Sequence, residues 1–421
     1  MPDRNHRPEI ILLAGTRPEG VKLAPLVMAL RQDDRFTAAL VDAGQHPAQV
    51  TDALAPFGLA PDEVLFPVRR DGSLAELAAA LIAAVDAALA RRDPAAVVVQ
   101  GDTLTALIGG LVAYWRGIPL VHLEAGLRTH NPGEPFPEEA NRTMLARLAE
   151  LHLAPTETAR RNLVAEGVPA PRVVVTGNTV VDALDHLVEN DLARPPAWLE
   201  GNRPVVVATM HRRENWGQRI RDVCTGLVRV NEARPDVQLV VVLHPNPVLA
   251  ADITAALSGR PAVRLVPAMS YPEMIGLLLV ADVVLTDSGG IQEEAATIGA
   301  PLLVTRDRTE RPEALADGRG RLVGTNPDDI ADAVVAQLRR EPKPALPSPF
   351  GDGRAASRAV PAIAGLLSPA LVRSPVTESV GGRRDDGWLA ETAGHEEDDL
   401  DIVRRLVQRA SATPAVFSAV R

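Results

Sequence analysis

The stretch LLAGTRPEGVKLAPL, Leu12 to Leu26, opens as an apolar strand and closes as the first turns of a helix. A strand that turns directly into a helix is the building unit of an α/β sheet, and such a turn often carries a glycine-rich cradle for phosphate. Here Gly15 and Gly20 bracket Arg17, Pro18 and Glu19, and Lys22 follows on the helix. The turn is therefore charged where a dinucleotide cradle is bare. Of 44 basic residues 42 are Arg, and Lys22 and Lys343 are the only lysines. One of two sparingly used lysines thus sits in this turn.

Outward from that turn, short Val- and Leu-rich runs alternate with longer helical patterns. The first series predicts strands at Glu9–Leu13, Ala38–Val41, Ala96–Val99, Leu120–Leu123, Leu151–Ala154 and Val173–Thr176. The second predicts Val205–Thr209, Gln238–Leu243, Val263–Pro267, Val283–Thr286 and Pro301–Val304. These runs are continuously apolar rather than alternating, as expected of parallel strands covered on both faces. Helical patterns such as Leu74–Arg91 and Leu104–Trp115 lie between them. The expectation is an α/β protein of two doubly wound domains, 8–178 and 179–366, joined near Thr176–Val181. From about Leu367 onward Pro, Ser, Gly and charge dominate, which predicts a disordered tail over 367–421. Within it Asp401–Ala410 (DIVRRLVQRA) has a short amphipathic pattern, and a solvated tail is the simpler reading.

Composition narrows the function classes. With 46% hydrophobic and only 3% aromatic residues in 421, the core must be built from Ala, Val and Leu. A net charge of -10 argues against a nucleic-acid partner or an anionic membrane surface. Part of that charge is local, in Glu396–Asp401 (EEDDLD). Cys224 is the only cysteine, so no intrachain disulfide can form. The N-terminal MPDRNHRPEI lacks the apolar core of a signal peptide, and no uninterrupted apolar run reaches the length of a membrane span. These features predict a cytoplasmic protein.

In open α/β sheets ligands bind beyond the carboxyl ends of the strands, so the residues after each strand matter most. They are Gly15–Lys22, then Gly101-Asp102-Thr103, then Glu124–Thr129, then Glu138 and Glu139 at a helix start. In the second series they are His211-Arg212-Arg213-Glu214-Asn215, His244-Pro245-Asn246-Pro247 and Asp287-Ser288-Gly289-Gly290, with Glu293 and Glu294 on the ensuing helix. Each has a plainer reading: Asp102 as a helix cap, Glu138 and Glu139 as acids favoured at a helix N-terminus, His211 as a surface histidine. Glu124 resists one, because it directly ends an apolar strand before Ala-Gly, where no cap is needed. The HRREN run places a histidine and two arginines at a strand end, which suits an anion. In DSGGIQEEA, small residues at a helix N-terminus let backbone N–H groups approach phosphate, and Glu294 one turn later suits ribose hydroxyls. The alternative there is a glycine turn and a capped helix. No H-E-x-x-H or C-x-x-C metal motif occurs.

In combination GTRPEGVKLAPL, GDT, HLEAGLRT, PFPEEANR, GNTVVDAL, HRREN, HPNP, LTDSGGIQEEA, RDRTERPEA and LVGT resemble, in content and order, the bacterial non-hydrolysing UDP-N-acetylglucosamine 2-epimerases. The resemblance spans roughly Pro8 to Leu366. It implies two Rossmann-like domains facing a central cleft, a fold like that of the GT-B glycosyltransferases, a homodimer, and interconversion of UDP-GlcNAc and UDP-ManNAc without redox cofactor. It implies that Arg17 and Lys22 contact the nucleotide sugar and that Asp102, Glu124 and Glu138 are acid/base carboxylates, with base and acid unassigned. It places His211 beside the diphosphate, Ser288, Gly289 and Gly290 on phosphate, Glu294 on ribose, and Arg311 as a further contact. Met274 stands where the family usually has a ring near the uracil, and Met269 where many relatives have a polar residue. The family's second stretch, through which bound UDP-GlcNAc activates, is represented by Gln45 and His46, followed by Pro47 and Ala48; this predicts weakened effector binding. The rival functions are a hydrolysing epimerase that releases ManNAc and UDP, a GT-B glycosyltransferase, and a non-catalytic nucleotide-sugar sensor. The three carboxylates argue against the last two.

Overall fold

The computed structural model describes residues 7–46, 48–67, 72–201, 203–212, 215–340 and 346–368. The tail expected over 367–421 lies outside these residues apart from its first two.

Two parallel sheets carry the architecture. The first contains β1 (Glu9–Ala14), β2 (Thr37–Asp42), β3 (Glu63–Val64), β4 (Ala96–Gln100), β5 (Leu120–Leu123), β6 (Leu151–Ala154) and β7 (Val173–Val175), in the order β3-β2-β1-β4-β5-β6-β7. The second contains β8 (Val205–Thr209), β9 (Gln238–Val242), β10 (Val263–Val266), β11 (Val283–Thr286), β12 (Leu302–Val304) and β13 (Gly320–Leu322), in the order β10-β9-β8-β11-β12-β13. The runs read as doubly covered strands are doubly covered: Val97, Val98 and Val99 of β4 and Val206 and Val207 of β8 have no exposed surface. The sequence pattern misses β3 and β13. Both lie at a sheet edge and are two and three residues long, too short and too polar to make an apolar run.

The strand orders fix where ligands can bind. β1 is hydrogen-bonded to β2 on one side and β4 on the other. The turns after β1 and β4 therefore diverge to opposite faces and open a crevice at the switch point. In the second sheet β8 has β9 and β11 as neighbours, so the turns after β8 and β11 open the equivalent crevice. The segments GTRPEG and GDT flank the first, and the segments beginning at His211 and Asp287 flank the second.

The stretch from Phe350 to Leu367 returns to the first half of the chain. The Asn178 N–H donates to the Phe350 carbonyl (2.7 Å). Asp182 accepts from the N–H groups of Ala355 and Ala356 (3.1 and 2.9 Å), satisfying the first turn of the helix Ala355–Leu367. That helix packs on the helices Arg17–Gln32 and Thr179–Glu189. Among the described residues no helix is long and apolar enough to cross a membrane.

Candidate active site

The turn after β1 is built around a buried carboxylate rather than around bare glycine. Thr16 occupies the N-cap of the helix Arg17–Gln32 without capping it. Glu19, on the first turn, reaches back and accepts from the Gly15 N–H (3.0 Å) and the Thr16 hydroxyl (2.8 Å) ahead of the helix. Its other oxygen accepts from the Thr103 hydroxyl (2.7 Å), so it ties the turn after β1 to the turn after β4. A Cβ on Gly15 would lie 2.1 Å from Thr105 Oγ1, so only glycine permits this approach. Burial pushes Glu19 up to about 7. Thr103, not Asp102, caps the helix Leu104–Trp115, which removes the plainer reading of Asp102.

Lys22 enters the cleft from the same helix. Its ammonium is ion-paired with Glu124 and lies 2.6 Å from Glu293 Oε2. Burial alone would push this lysine down, but the two carboxylates outweigh it and hold the group above its ordinary value. Glu124 also accepts from the Asn178 amide (3.1 Å). Its backbone has φ 63°, in the left-handed region; such a backbone costs a non-glycine residue about 1 kcal/mol and marks a position set by its surroundings. Burial, then Glu293, pushes its carboxyl up.

Arg311 comes from the other half of the chain. Its Nε lies 2.6 Å from Glu293 Oε1 and its Nη2 lies 3.6 Å from Glu124 Oε1, while Nη1 pairs with Glu310. The guanidinium lies against Gly289, where a Cβ would meet Nη1 at 2.4 Å. Glu310 gathers further arginines: Arg306 at 2.9 Å and Arg212 at 3.3 Å. Burial opposes its ionisation, but these guanidinium groups hold it well below the usual carboxylate range.

The remaining acid/base candidates stand nearby. Asp102 pairs with Arg142, which also reaches Glu139 (3.1 Å). Glu138 begins the helix Glu138–Leu148 and has no ion pair among the described residues. Burial, then the charge of Asp102, pushes Glu138 up.

The second crevice is organised by Asp287, whose carboxylate accepts from the N–H groups of His211 (2.8 Å) and Arg212 (3.0 Å) and from the Asn215 amide (2.8 Å). This one side chain after β11 holds the loop after β8. Arg213 and Glu214 of the same run lie outside the described residues. The His211 ring packs edge-on against His244, with centroids 5.4 Å apart. Burial pushes it down to about 4, so the ring is neutral near pH 7. Ser288 is the N-cap of the helix Gly289–Ile298 without a side-chain cap bond, and Gly289 and Gly290 form its first turn. Glu294 is buried on that helix and, among the described residues, has no hydrogen-bond or ion-pair partner. Burial, then Glu293, pushes it up to about 7.

Arg17 donates to the Met269 carbonyl (2.6 Å), so Met269 contributes its backbone here. Met274 is buried in the hydrophobic core. Gln45 accepts from the Thr105 hydroxyl (2.7 Å), beside the turn after β1. His46 is exposed, Pro47 lies outside the described residues, and Ala48 has φ 64°. The cleft also holds residues to which the sequence reading assigned no site role: Glu19, Arg142, Asn178, Glu293, Arg306 and Glu310. All six lie inside quoted motifs, but most of the partners that engage them stand far along the chain, 84 residues for Glu19 and Thr103, 40 for Arg142 and Asp102 and 54 for Asn178 and Glu124, so spacing does not reveal them.

A family model described as UDP-N-acetylglucosamine 2-epimerase matches residues 28–364. A protein of Ralstonia solanacearum named probable UDP-N-acetylglucosamine 2-epimerase is 41% identical over 368 residues, covering 84% of this chain and 98% of that protein. The UDP-N-acetylglucosamine 2-epimerase of Escherichia coli (strain K12) is 38% identical over 368 residues, with the same two coverages. The crystal structure of UDP-GlcNAc 2-epimerase from Neisseria meningitidis bound to UDP-GlcNAc superposes with a TM-score of 0.80 at 33% identity, over 85% of this chain and 100% of that one.

Proposed function

This chain belongs to the UDP-N-acetylglucosamine 2-epimerase family, and we propose on that premise that it interconverts UDP-GlcNAc and UDP-ManNAc without hydrolysis. The observation that carries the reading is a division of labour across the cleft. One half supplies Asp102, Glu124 and Glu138. The other supplies a helix N-terminus at Ser288–Gly290, a neutral His211 and the unpartnered carboxylate of Glu294.

The chemistry needs both halves. The proton on carbon 2 of the sugar is not next to a carbonyl, so direct abstraction is too costly. Breaking the carbon 1–oxygen bond first sends its electron pair to the diphosphate and leaves oxocarbenium character on the sugar. A carboxylate then takes the carbon 2 proton, and the electrons of that bond form the double bond of 2-acetamidoglucal. Return of a proton to the opposite face of carbon 2 and re-addition of UDP at carbon 1 complete the epimer. The N–H groups of Gly289 and Gly290, the Ser288 hydroxyl, whose own N–H is taken by Thr286 (3.0 Å), and the His211 ring stabilise the departing diphosphate. Glu294 accepts from ribose hydroxyls. Glu138, pushed up and without an ion pair among the described residues, is suited to carry a proton, with Glu124 or Asp102 as its basic counterpart. The contacts Lys22–Glu293 and Arg311–Glu124 hold the cleft shut over the glycal.

The same reading makes the chain a homodimer of the cytoplasm that supplies ManNAc units for cell-envelope polysaccharide. The decisive experiment is NMR of UDP-GlcNAc with the purified protein in deuterated water, without NAD. Deuterium at carbon 2 of both UDP-sugars is the expected outcome. Epimerisation without label removes the elimination route, and free ManNAc as the sole sugar product makes the chain a hydrolase.

A further inference from the structure

Gly101 is fastened to β5 by two bonds. Its N–H donates to the Leu123 carbonyl (3.0 Å), which extends the ladder between β4 and β5 by one residue. Its carbonyl, beyond the reach of that ladder, is met at 2.7 Å by Nε2 of His122. A carbonyl only accepts, so Nε2 must carry the proton and Nδ1 is the bare nitrogen. His122 has no exposed surface, and its Nδ1 has no partner among the described residues. An apolar side chain would fill this interior strand position without burying an unsatisfied nitrogen. The ring packs edge-on against His152 of β6, with centroids 6.5 Å apart, and its one hydrogen bond among the described residues goes to Gly101.

The position of that bond supplies a use for the imidazole. The Gly101 carbonyl belongs to the same peptide group as the Asp102 N–H. Gly101 has φ 69°, in the region where glycine is unrestrained and the peptide free to swing. The Asp102 carbonyl is held separately by the Asn141 amide (2.8 Å), and its carboxylate by Arg142. On the other side, β5 ends at Leu123 and the next residue is Glu124. We infer that His122 is a positioning residue for the acid/base carboxylates: by donating to the Gly101 carbonyl it locks the peptide preceding Asp102 onto the strand that leads into Glu124. It thereby sets the separation of two of the three carboxylates without touching substrate. Its inference of a kinetic effect rests on the proposed epimerase reading.

The donor's reach provides the test. A glutamine amide places its N–H where Nε2 lies, whereas an asparagine amide stops where Nδ1 lies. In the full chain, His122→Gln keeps kcat within about five-fold, and His122→Asn lowers kcat roughly 30- to 100-fold, the scale of a carboxylate misplaced by an ångström. KM for UDP-GlcNAc and the affinity for UDP stay within about three-fold in both, because the diphosphate is held by the other half. Equal activity of the two variants, or a loss confined to KM, overturns the inference. A second readout needs neither folding of a variant nor epimerase activity. Imidazole nitrogen NMR of the unmutated protein should show His122 neutral with its proton on Nε2 from pH 5 to 8, since burial pushes it down to about 4 among Arg128, Asp102 and Arg142. A proton on Nδ1 overturns the inference. A protein with the Nε2–H form and no epimerase activity refutes the proposed function and leaves the tether in place.

Discussion

Lys22 and Glu293 meet across the cleft with Nζ 2.6 Å from Oε2. One follows β1 of the first sheet, and the other lies on the helix after β11 of the second. The contact is almost dry, with side-chain exposures of 6% and 0%. Removing one partner of such a pair leaves a buried charge uncompensated. Lys22→Met should therefore destabilise the protein by about 3 kcal/mol. It should also push Glu124 further up, because the cation beside it is gone, and so move the acid limb of the pH–rate profile to higher pH. Chemical denaturation and kcat/KM from pH 5 to 9 check both. An unchanged acid limb would mean that Glu124 does not govern the rate.

Glu294 places stability and binding in opposition. In the folded protein it holds its proton up to about 7, above its ordinary value of 4.5. The folded state therefore binds a proton that the unfolded chain releases, and stability falls as pH rises from about 4.5 through 7. Glu294→Gln escapes that loss and should gain roughly 1–3 kcal/mol at pH 8, with little gain at pH 5. It should weaken UDP binding about ten-fold, the cost of losing a charge-assisted acceptor. Melting curves across pH with calorimetry of UDP binding test the pair of effects. Tighter or unaltered UDP binding would remove Glu294 from the nucleotide.

His211 starts neutral, at about 4. A diphosphate beside it favours the charged ring, so its pKa should rise on addition of UDP and the complex should take up a proton near neutral pH. Imidazole NMR with and without UDP reads this directly. His211→Ala should lower kcat by roughly 10²–10³ with the melting temperature intact, the scale of one lost leaving-group donor. Turnover within a few-fold of the parent would place the ring away from the reaction.

Ala48 offers no side-chain hydrogen bond, and its backbone at φ 64° opens the helix Gln49–Leu54. Gln45 is already engaged by Thr105. Activation by a second UDP-GlcNAc should accordingly be weak. Rate against UDP-GlcNAc should be near hyperbolic, and UDP-ManNAc alone should turn over without delay. A lag with UDP-ManNAc that catalytic UDP-GlcNAc abolishes would show the effector route intact.

The strand-turn-helix runs, the residues after each strand and the small residues of Asp287–Gly290 are legible in the sequence because their physics is local. Continuous apolar runs mark covered parallel strands, and a helix N-terminus made of Ser288, Gly289 and Gly290 is an anion site wherever it is placed. Only the tertiary structure decides which of these turns face one another. The sequence does not say that β1 lies beside β4 or β8 beside β11. Those adjacencies bring Glu19 to Thr103 and Asp287 to His211 and Arg212. Nor does local spacing pair Lys22 with Glu293 or Arg311 with Glu124. Those carboxylates are buried, and a buried charge takes its identity from whichever opposite charge the fold delivers to it. Composition and periodicity thus determine the elements and the chemical types in the cleft. The strand order and the meeting of the two halves determine which carboxylate is neutralised, which is left to carry a proton, and which, like Glu294, has no partner among the described residues.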